Sequence, residues 1–556
     1  MKHCKQATYF VIFSLIIILV LTSCSSSTPA PTTTSNPAPT TALQISSQPT
    51  STTAVQQTIP VTVKPTTSTT PMTSTATTPV NTPQKGGVLN IIKSTVPNTL
   101  GPITSMGAPG ATFLMPALET LIGIDKDGPV PTKLATSWDI APDGKSLTLH
   151  LRKGVKFHDG TDFDAAAVKY NFDKKIGNRP EIIAVTSADV IDDYTVRLNL
   201  SSYSNTLLFQ LGWIAGMMES PTALKTHDQN WFTTNMVGTG PFQFVSYDKD
   251  VSLIFKKFNN YWDSGKPYLD ALKYTFIVDP MTAEAYFRAG SGNLWDQLLP
   301  ASLKNMANLG NPTNVVPRTI WMAIGDSASS TSPFAKKEVR QALEYAIDKK
   351  AVVDTFGFGT WEAPVGPFSV KQFGSIPNFQ GRTYDAKKAK QLLVDAGYPN
   401  GFQTSFYARD NVDRNVLVAF QSYLKAVGIN AEIKPVTTTA YQALRERGWN
   451  GILMVNMGIA GSYAKMLQTD GPTKTTAVST IVSDEYTAAL NKALAAKDKD
   501  SELKANQQLA QFVYDESMMI PWLIDSVIAV YDPSMHVDIN TINLQNWNPG
   551  NTWIGK

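Results

Sequence analysis

The stretch Lys145-Ser-Leu-Thr-Leu-His-Leu-Arg-Lys-Gly-Val-Lys-Phe-His-Asp-Gly160 decides how this chain is read. Leu147, Leu149 and Leu151 alternate with Thr148, His150 and Arg152, the period of a half-buried strand. Gly154 interrupts the pattern, Val155 and Phe157 resume it as a second short strand, and Asp159-Gly160 turns the chain. Thr161 or Asp162 then stands where an N-cap should precede the helix-forming run Ala165 to Tyr170. Local chemistry thus predicts strand, turn and helix, and no common catalytic or metal-binding pattern accounts for the run.

Outward from it, the N-terminus carries Lys2 and Lys5, an apolar stretch from Tyr9 to Leu21, and Leu21-Thr-Ser-Cys24. That apolar core rises only about 20 Å as a helix, short of the roughly 30 Å hydrocarbon layer, so residues 1–23 read as a lipoprotein signal peptide. Between Ser25 and Pro83 the chain is built from Thr, Ser, Pro, Ala and Gln, with Lys64 its only charge. Such a segment has too little apolar surface to bury a core and reads as a tether with a coil-like reach of roughly 45 Å. Its Thr and Ser residues are also candidates for O-glycosylation. Formal charge is +3, and loss of the two signal lysines leaves +1, without the concentrated positive face that nucleic-acid binding needs. Once Cys4 leaves with the signal, Cys24 is the remaining cysteine, so no disulfide is expected. The remaining length, about 470 residues, predicts more than one lobe.

Strand patterns dominate the first portion, at Gly87–Ile92, Leu147–Leu151, Thr195–Leu200, Phe242–Val245 and Ser252–Phe255. In the second portion strands alternate with capped helices. Ser332-Pro333 introduces one helix with Val339, Leu343, Ala346, Ile347 and Val353 on a single face, and Asp385 and Gly397 bound another. A βαβαβ pattern follows: strand 404–408, helix 412–427 ended by Gly428, strand 429–436, helix 440–447 and strand 452–457. Helices 485–496 and 502–516 precede a last strand, Met519 to Ile524.

Candidate reaction centres are few. The five histidines have no His-x-x-x-His spacing, so no metal site is predicted. Gly238-Thr-Gly240 is followed by Pro241, which lacks the N–H that a phosphate loop would use. Asp125, Asp127, Asp159, Asp162 and Asp164 fail the spacing of a calcium loop and read as turn chemistry. There is no Gly-x-Ser-x-Gly elbow. Neither catalysis nor a cofactor is expected.

Taken as a string, the opening stretch resembles a signature of extracellular solute-binding protein family 5, whose members serve peptide, nickel and oligosaccharide ABC importers. The likeness continues in Pro131–Trp138, Pro142–Lys145, Val237–Gln243, Asn260–Asp263, Lys266–Asp270, Val339–Lys349 and Tyr384–Tyr398. It implies an α/β, two-lobed type II periplasmic-binding-protein fold with a hinge between the lobes. The organisation expected is 24–84 as lipidated Cys24 and tether, 85–317 as lobe 1 with a subdomain inserted at about 123–232, 318–525 as lobe 2, and 526–556 returning to lobe 1. Crossings would lie near Pro317 and Asp525. The partners implied are a solute, an ABC permease with its ATPases, and the membrane through the lipid on Cys24. The receptor would be a monomer on the outer face of the cell membrane.

Flat, amphipathic rings line clefts well, which makes Trp213, Trp295 and Trp321 candidates for ligand contact. Open α/β sheets meet ligands at the carboxyl ends of their strands, which adds Arg409, Asp410, Asn456 and Met457, with Tyr463 closing the following loop. Arg409 is suited to a ligand carboxylate. Peptide-binding relatives carry an Asp after the last of these strands for the peptide's amino group, whereas Val455-Asn-Met-Gly-Ile-Ala-Gly-Ser-Tyr463 has no acid. The function expected is capture of a peptide-like or other organic solute for an ABC importer. An oligosaccharide or metal-chelate receptor, a sensor of the same fold and a surface-anchored hydrolase are the alternatives.

Overall fold

β1 (Val88–Lys93) leads into a region with its own sheet and core. That antiparallel sheet contains β2 (Ala135–Ile140), β3 (Ser146–Leu151), β4 (Val185–Asp192) and β5 (Thr195–Leu200), in spatial order β2-β3-β5-β4. Its alternating leucines, Leu147, Leu149 and Leu151, point into a core closed by α1 (Ala165–Lys175) and α2 (Thr206–Leu211). The computed structural model describes residues 82–101, 108–125, 128–537 and 547–555. The predicted signal segment, Cys24, most of the predicted tether and Asp127 lie outside the described residues.

The opening stretch folds nearly as its pattern predicts, with two corrections. Val155 and Phe157 are buried, but the second strand reduces to a single bridge between Lys156 and Asp162. The cap of α1 is Asp164, whose Oδ1 accepts from the Ala167 N–H at 2.7 Å. Thr161 and Asp162 are otherwise engaged: Thr161 donates from its hydroxyl and its N–H to Asp159, and Asp162 pairs with Lys156 at 2.6 Å.

Three of the segments that resemble one family, 145–160, 237–243 and 260–263, converge on two buried side chains. Glu119 accepts from Tyr261 Oη at 2.7 Å, Trp262 Nε1 at 2.8 Å and Thr239 Oγ1 at 3.2 Å. His158 accepts at Nδ1 from the Gly238 N–H and donates from Nε2 to Gly240 O at 2.9 Å, which fixes the neutral ring. Gly238 and Gly240 are required by packing. A Cβ on them would stand 2.2 Å from Ala117 O and 2.4 Å from Pro116 O.

β6 (Phe242–Asp248), β7 (Ser252–Lys257), β8 (Ala271–Phe276), β9 (Leu294–Trp295) and the long β10 (Thr313–Gly325) return the chain to the main sheet. The predicted single helix after Pro333 is two, α3 (Lys337–Ala346) and α4 (Lys349–Phe356), because Ile347 is extended and Asp348 caps a new start by accepting from the Ala351 N–H. α5 (Ala386–Asp395), β11 (Phe402–Arg409), α6 (Arg414–Val427), β12 (Ile429–Val436), α7 (Thr438–Arg447) and β13 (Ile452–Gly458) follow. Gly428, at φ 104°, ends α6 in the left-handed conformation expected of a C-cap glycine. An unpredicted helix, α8 (Tyr463–Asp470), precedes α9 (Asp484–Leu494) and α10 (Lys499–Asp515). The last long strand, β14 (Ile520–Tyr531), runs well past Ile524.

These strands form one ten-stranded sheet in the order β12-β11-β13-β10-β14-β9-β1-β8-β7-β6. Separate cores lie against its two ends: Phe113, Phe255 and Tyr274 at one, Phe334, Phe420 and Trp522 at the other.

Burial lowers the His158 pKa from 6.5 to about 4. The folded protein therefore binds fewer protons than the unfolded chain between those values. His158 contributes its full stability above pH 6.5 and loses it as pH falls towards 4, about 3 kcal/mol in all. Urea unfolding at pH 7 and pH 4.5 should show wild type losing about 2–3 kcal/mol more than His158→Gln, with equal losses contradicting the neutral brace.

Candidate functional site

Strand directions define where a solute can sit. β8 and β9 run parallel to β1. β14 is antiparallel to β9, and β10 is antiparallel to β14, so β10 runs the same way as β1. β13 is antiparallel to β10, and β11 is parallel to both β13 and β12. The carboxyl ends of β1, β8 and β9 therefore face those of β11, β12 and β13. Trp295, at the end of β9, lies opposite Val530, whereas Gly458, at the end of β13, lies opposite Thr319, which pairs with Asp525. Along β14 these levels are about 17 Å apart at 3.4 Å per residue. Across that interval β10 and β14 are the strands that continue the sheet.

On the first wall, Lys93 ends β1 and its Nζ lies 2.6 Å from Asp296 Oδ2, just beyond β9. Both side chains are about 95% buried. Gln297 Oε1 accepts from the Ser94 N–H at 2.9 Å. Trp295 is fully buried, with its Nε1 unpartnered, in a core with Phe287 and Met306.

On the second wall, Arg409 ends β11, donates from Nη2 to Asn456 Oδ1 and lies 5.3 Å from the centre of the Tyr441 ring. Asn456 is the cross-strand neighbour of Trp321. Trp321 Nε1 donates to Asp525 Oδ2 at 3.0 Å, and Arg318 Nη2 reaches the same oxygen at 2.9 Å. The expected residues Trp321, Arg409 and Asn456 are thus brought together, with exposed Asp410 at their edge.

Met457 and Tyr463 are fully buried in the core beneath α8, so like Trp295 they support the cleft from behind. Trp213 is half-buried in the region carrying β2 to β5 and packs against the first core. Sequence reasoning missed Lys93, Asp296, Arg318 and Asp525. The strand-end rule that singled out Arg409 applies equally to Lys93 at the end of β1. Among the described residues, no group of three or more His, Cys, Asp or Glu is placed to hold a metal, and no helix is long and apolar enough to cross a membrane.

This arrangement of two α/β halves joined through paired strands, with facing strand ends, is the type II periplasmic-binding-protein fold. PBP AgaA from A.tumefacien R10, solved in complex with agropinic acid, superposes with a TM-score of 0.69 at 24% identity, over 84% of this chain and 99% of that one. DppA from Helicobacter pylori, solved with the peptide STSA, gives a TM-score of 0.68 at 22% identity, over 85% and 99%. Residues 130–473 match the family described as bacterial extracellular solute-binding proteins, family 5 middle. The glutathione-binding protein GsiB of Salmonella paratyphi A is 29% identical over 442 residues, covering 75% of this chain and 84% of that one. The chain belongs to the family 5 bacterial extracellular solute-binding proteins, the substrate-binding components of ABC importers.

The Lys93–Asp296 pair is buried in the wall, and its energetics are testable. Lys93→Met leaves a buried carboxylate uncompensated and should cost about 3–5 kcal/mol, whereas Lys93→Met with Asp296→Leu should recover most of it. Urea unfolding of both variants checks this, and equal losses would show that the ion pair is not what the site depends on.

Proposed function

We propose that this receptor closes on a carboxylate-bearing, peptide-like organic solute and delivers it to a membrane permease. The observation that carries the reading is the place of Arg409 at the end of β11, one of the strand ends that face the opposite wall. Asn456 fixes one of its nitrogens, leaving further N–H donors for a planar carboxylate. The named ligands of the similar proteins, glutathione, agropinic acid and a peptide, are organic acids. A sugar ligand is favoured by the half-buried rings of Trp213 and Trp321 and is the second reading.

Closure is a rotation about the crossing near Pro317 and Asp525, with 85–317 and 526–556 moving against 318–525. Contacts far apart in sequence support a closed arrangement. Asn205, beside α2, donates from its N–H and from Nδ2 to Leu494 O and Ala493 O, both at 2.9 Å, at the end of α9. Lys497 Nζ donates to Pro142 O at 2.6 Å. The receptor acts as a monomer without catalysis, anchored outside the membrane through lipidated Cys24 on its tether. Leu21-Thr-Ser-Cys24 supports that anchorage.

Mass spectrometry of solute released from natively purified protein should find an organic acid, and a neutral sugar would favour the second reading. Arg409→Ala should weaken that solute's binding at least tenfold, a loss of about 1.4 kcal/mol or more. Small-angle scattering should show compaction at saturating solute, and identical profiles would contradict closure.

A further inference from the structure

Among the described residues, the most deeply buried cations each have a partner. Lys93 meets Asp296, Lys349 meets Glu344, Lys175 donates to Ala215 O and Met217 O, and Arg340 donates to four backbone carbonyls. Lys465 is half-buried, and among the described residues no carboxylate or hydrogen-bond acceptor engages its ammonium. Its Nζ instead lies 4.8 Å from the centre of the Phe209 ring.

The position of this lysine gives the missing partner a meaning. β13 ends at Gly458, the loop turns at Gly461 with φ +86°, and α8 begins at Tyr463, so Lys465 lies in the first helical turn after a strand whose end faces the opposite wall. Phe209 belongs to α2, on the other side of the cleft. A Cβ added to Gly461 would meet Lys465 Cδ at 3.0 Å and Phe209 Cε1 at 3.7 Å, so loop, lysine and ring converge at one point.

A cation in the first turn opposes the helix dipole, and the nearby N–H groups are already satisfied by Phe373 O, Asn506 Oδ1 and Ser462 Oγ. The acid of α10 that approaches this turn, Glu502, bonds Ser462. Burial lowers the Lys465 pKa to about 8, with no acidic neighbour opposing the shift. Covering an ammonium in this way makes closure costly, and an anion arriving between the halves offsets that cost.

We infer that Lys465 is a specificity-determining contact that takes a second carboxylate of the solute, beyond the one at Arg409, as the halves meet. The inference rests on the preceding reading of the cleft and extends it from a monocarboxylate to a dicarboxylate ligand. The ring of Phe209, brought in from the other half, then covers the ammonium as the cleft closes.

Isothermal titration with glutathione, which carries two carboxylates, and with its glycyl monoethyl ester tests the assignment on the wild type, Lys465→Met, Lys465→Arg and Arg409→Ala. The wild type should bind glutathione at least tenfold tighter than the monoester. Lys465→Met, which keeps the aliphatic packing, should bind the two equally, and Lys465→Arg should keep the preference.

A preference that survives in Lys465→Met, an equal loss for both probes in that variant, or a wild type that binds neither probe or does not discriminate, each overturns the inference. Failure of the Arg409 reading looks different. Arg409→Ala would then bind both probes as tightly as wild type, while Lys465→Met still abolished the preference.

Discussion

The pairing of β10 with β14 is the constraint on which everything else depends. These two strands carry the sheet from one half to the other, and the ladder between them is interrupted twice, between Pro317 and Thr319 and between Trp321 and Met322. Proline accounts for both places: Pro317 lies at the first, and Pro521, opposite Met322, at the second. Each removes an N–H from the ladder. Side chains brace the span instead, because Asp525 on β14 draws Arg318 and Trp321 of β10 to one oxygen. A connection with fewer backbone bonds and a side-chain strut holds the halves in register while leaving the strands free to change twist.

On either side of that span the halves are stabilised differently. The half nearer the amino terminus places a carboxylate, Glu119, and a neutral imidazole, His158, where segments from residues 116 to 262 meet. Both are satisfied by donors and acceptors of the scaffold itself. The other half relies on amphipathic helices laid against parallel strands, with α3, α5 and α6 covering Phe406, Ala408 and Ile429. Segments that mark the family lie in both halves, most of them in the first. The second carries Arg409 and Asn456 at or near the ends of two of its strands, the groups proposed to meet a solute.

What could be read from the sequence follows from the range of each interaction. Caps and periods act over a few residues, so Asp385, Gly428 and the alternation from β11 to β13 were legible almost to the residue. The split between α3 and α4 escaped because the apolar stripe continues across Ile347 while the backbone does not. α8 escaped because Gly458-Ile-Ala-Gly-Ser462 has loop composition, and only a cap at its last residue announces a helix. In the cleft, Arg409 and Asn456 were legible as strand ends and Trp321 as an amphipathic ring. Lys93 and Asp296 pair across 203 residues, a separation at which local pattern carries no information. Trp295, Met457 and Tyr463 lie at or near strand ends, but their side chains turn inwards.

The end of α9 has a consequence of its own. A helix leaves its last carbonyls without partners, and water or a cap must supply them. Here Ala493 and Leu494 receive theirs from Asn205, a residue nearly three hundred positions earlier and on the other side of the cleft. Whenever the two sides part, that terminus loses its cap and frays. The free energy of separating the halves is thereby coupled to local helix order, and the amide protons in the last turn of α9 become a built-in gauge of how often the cleft opens.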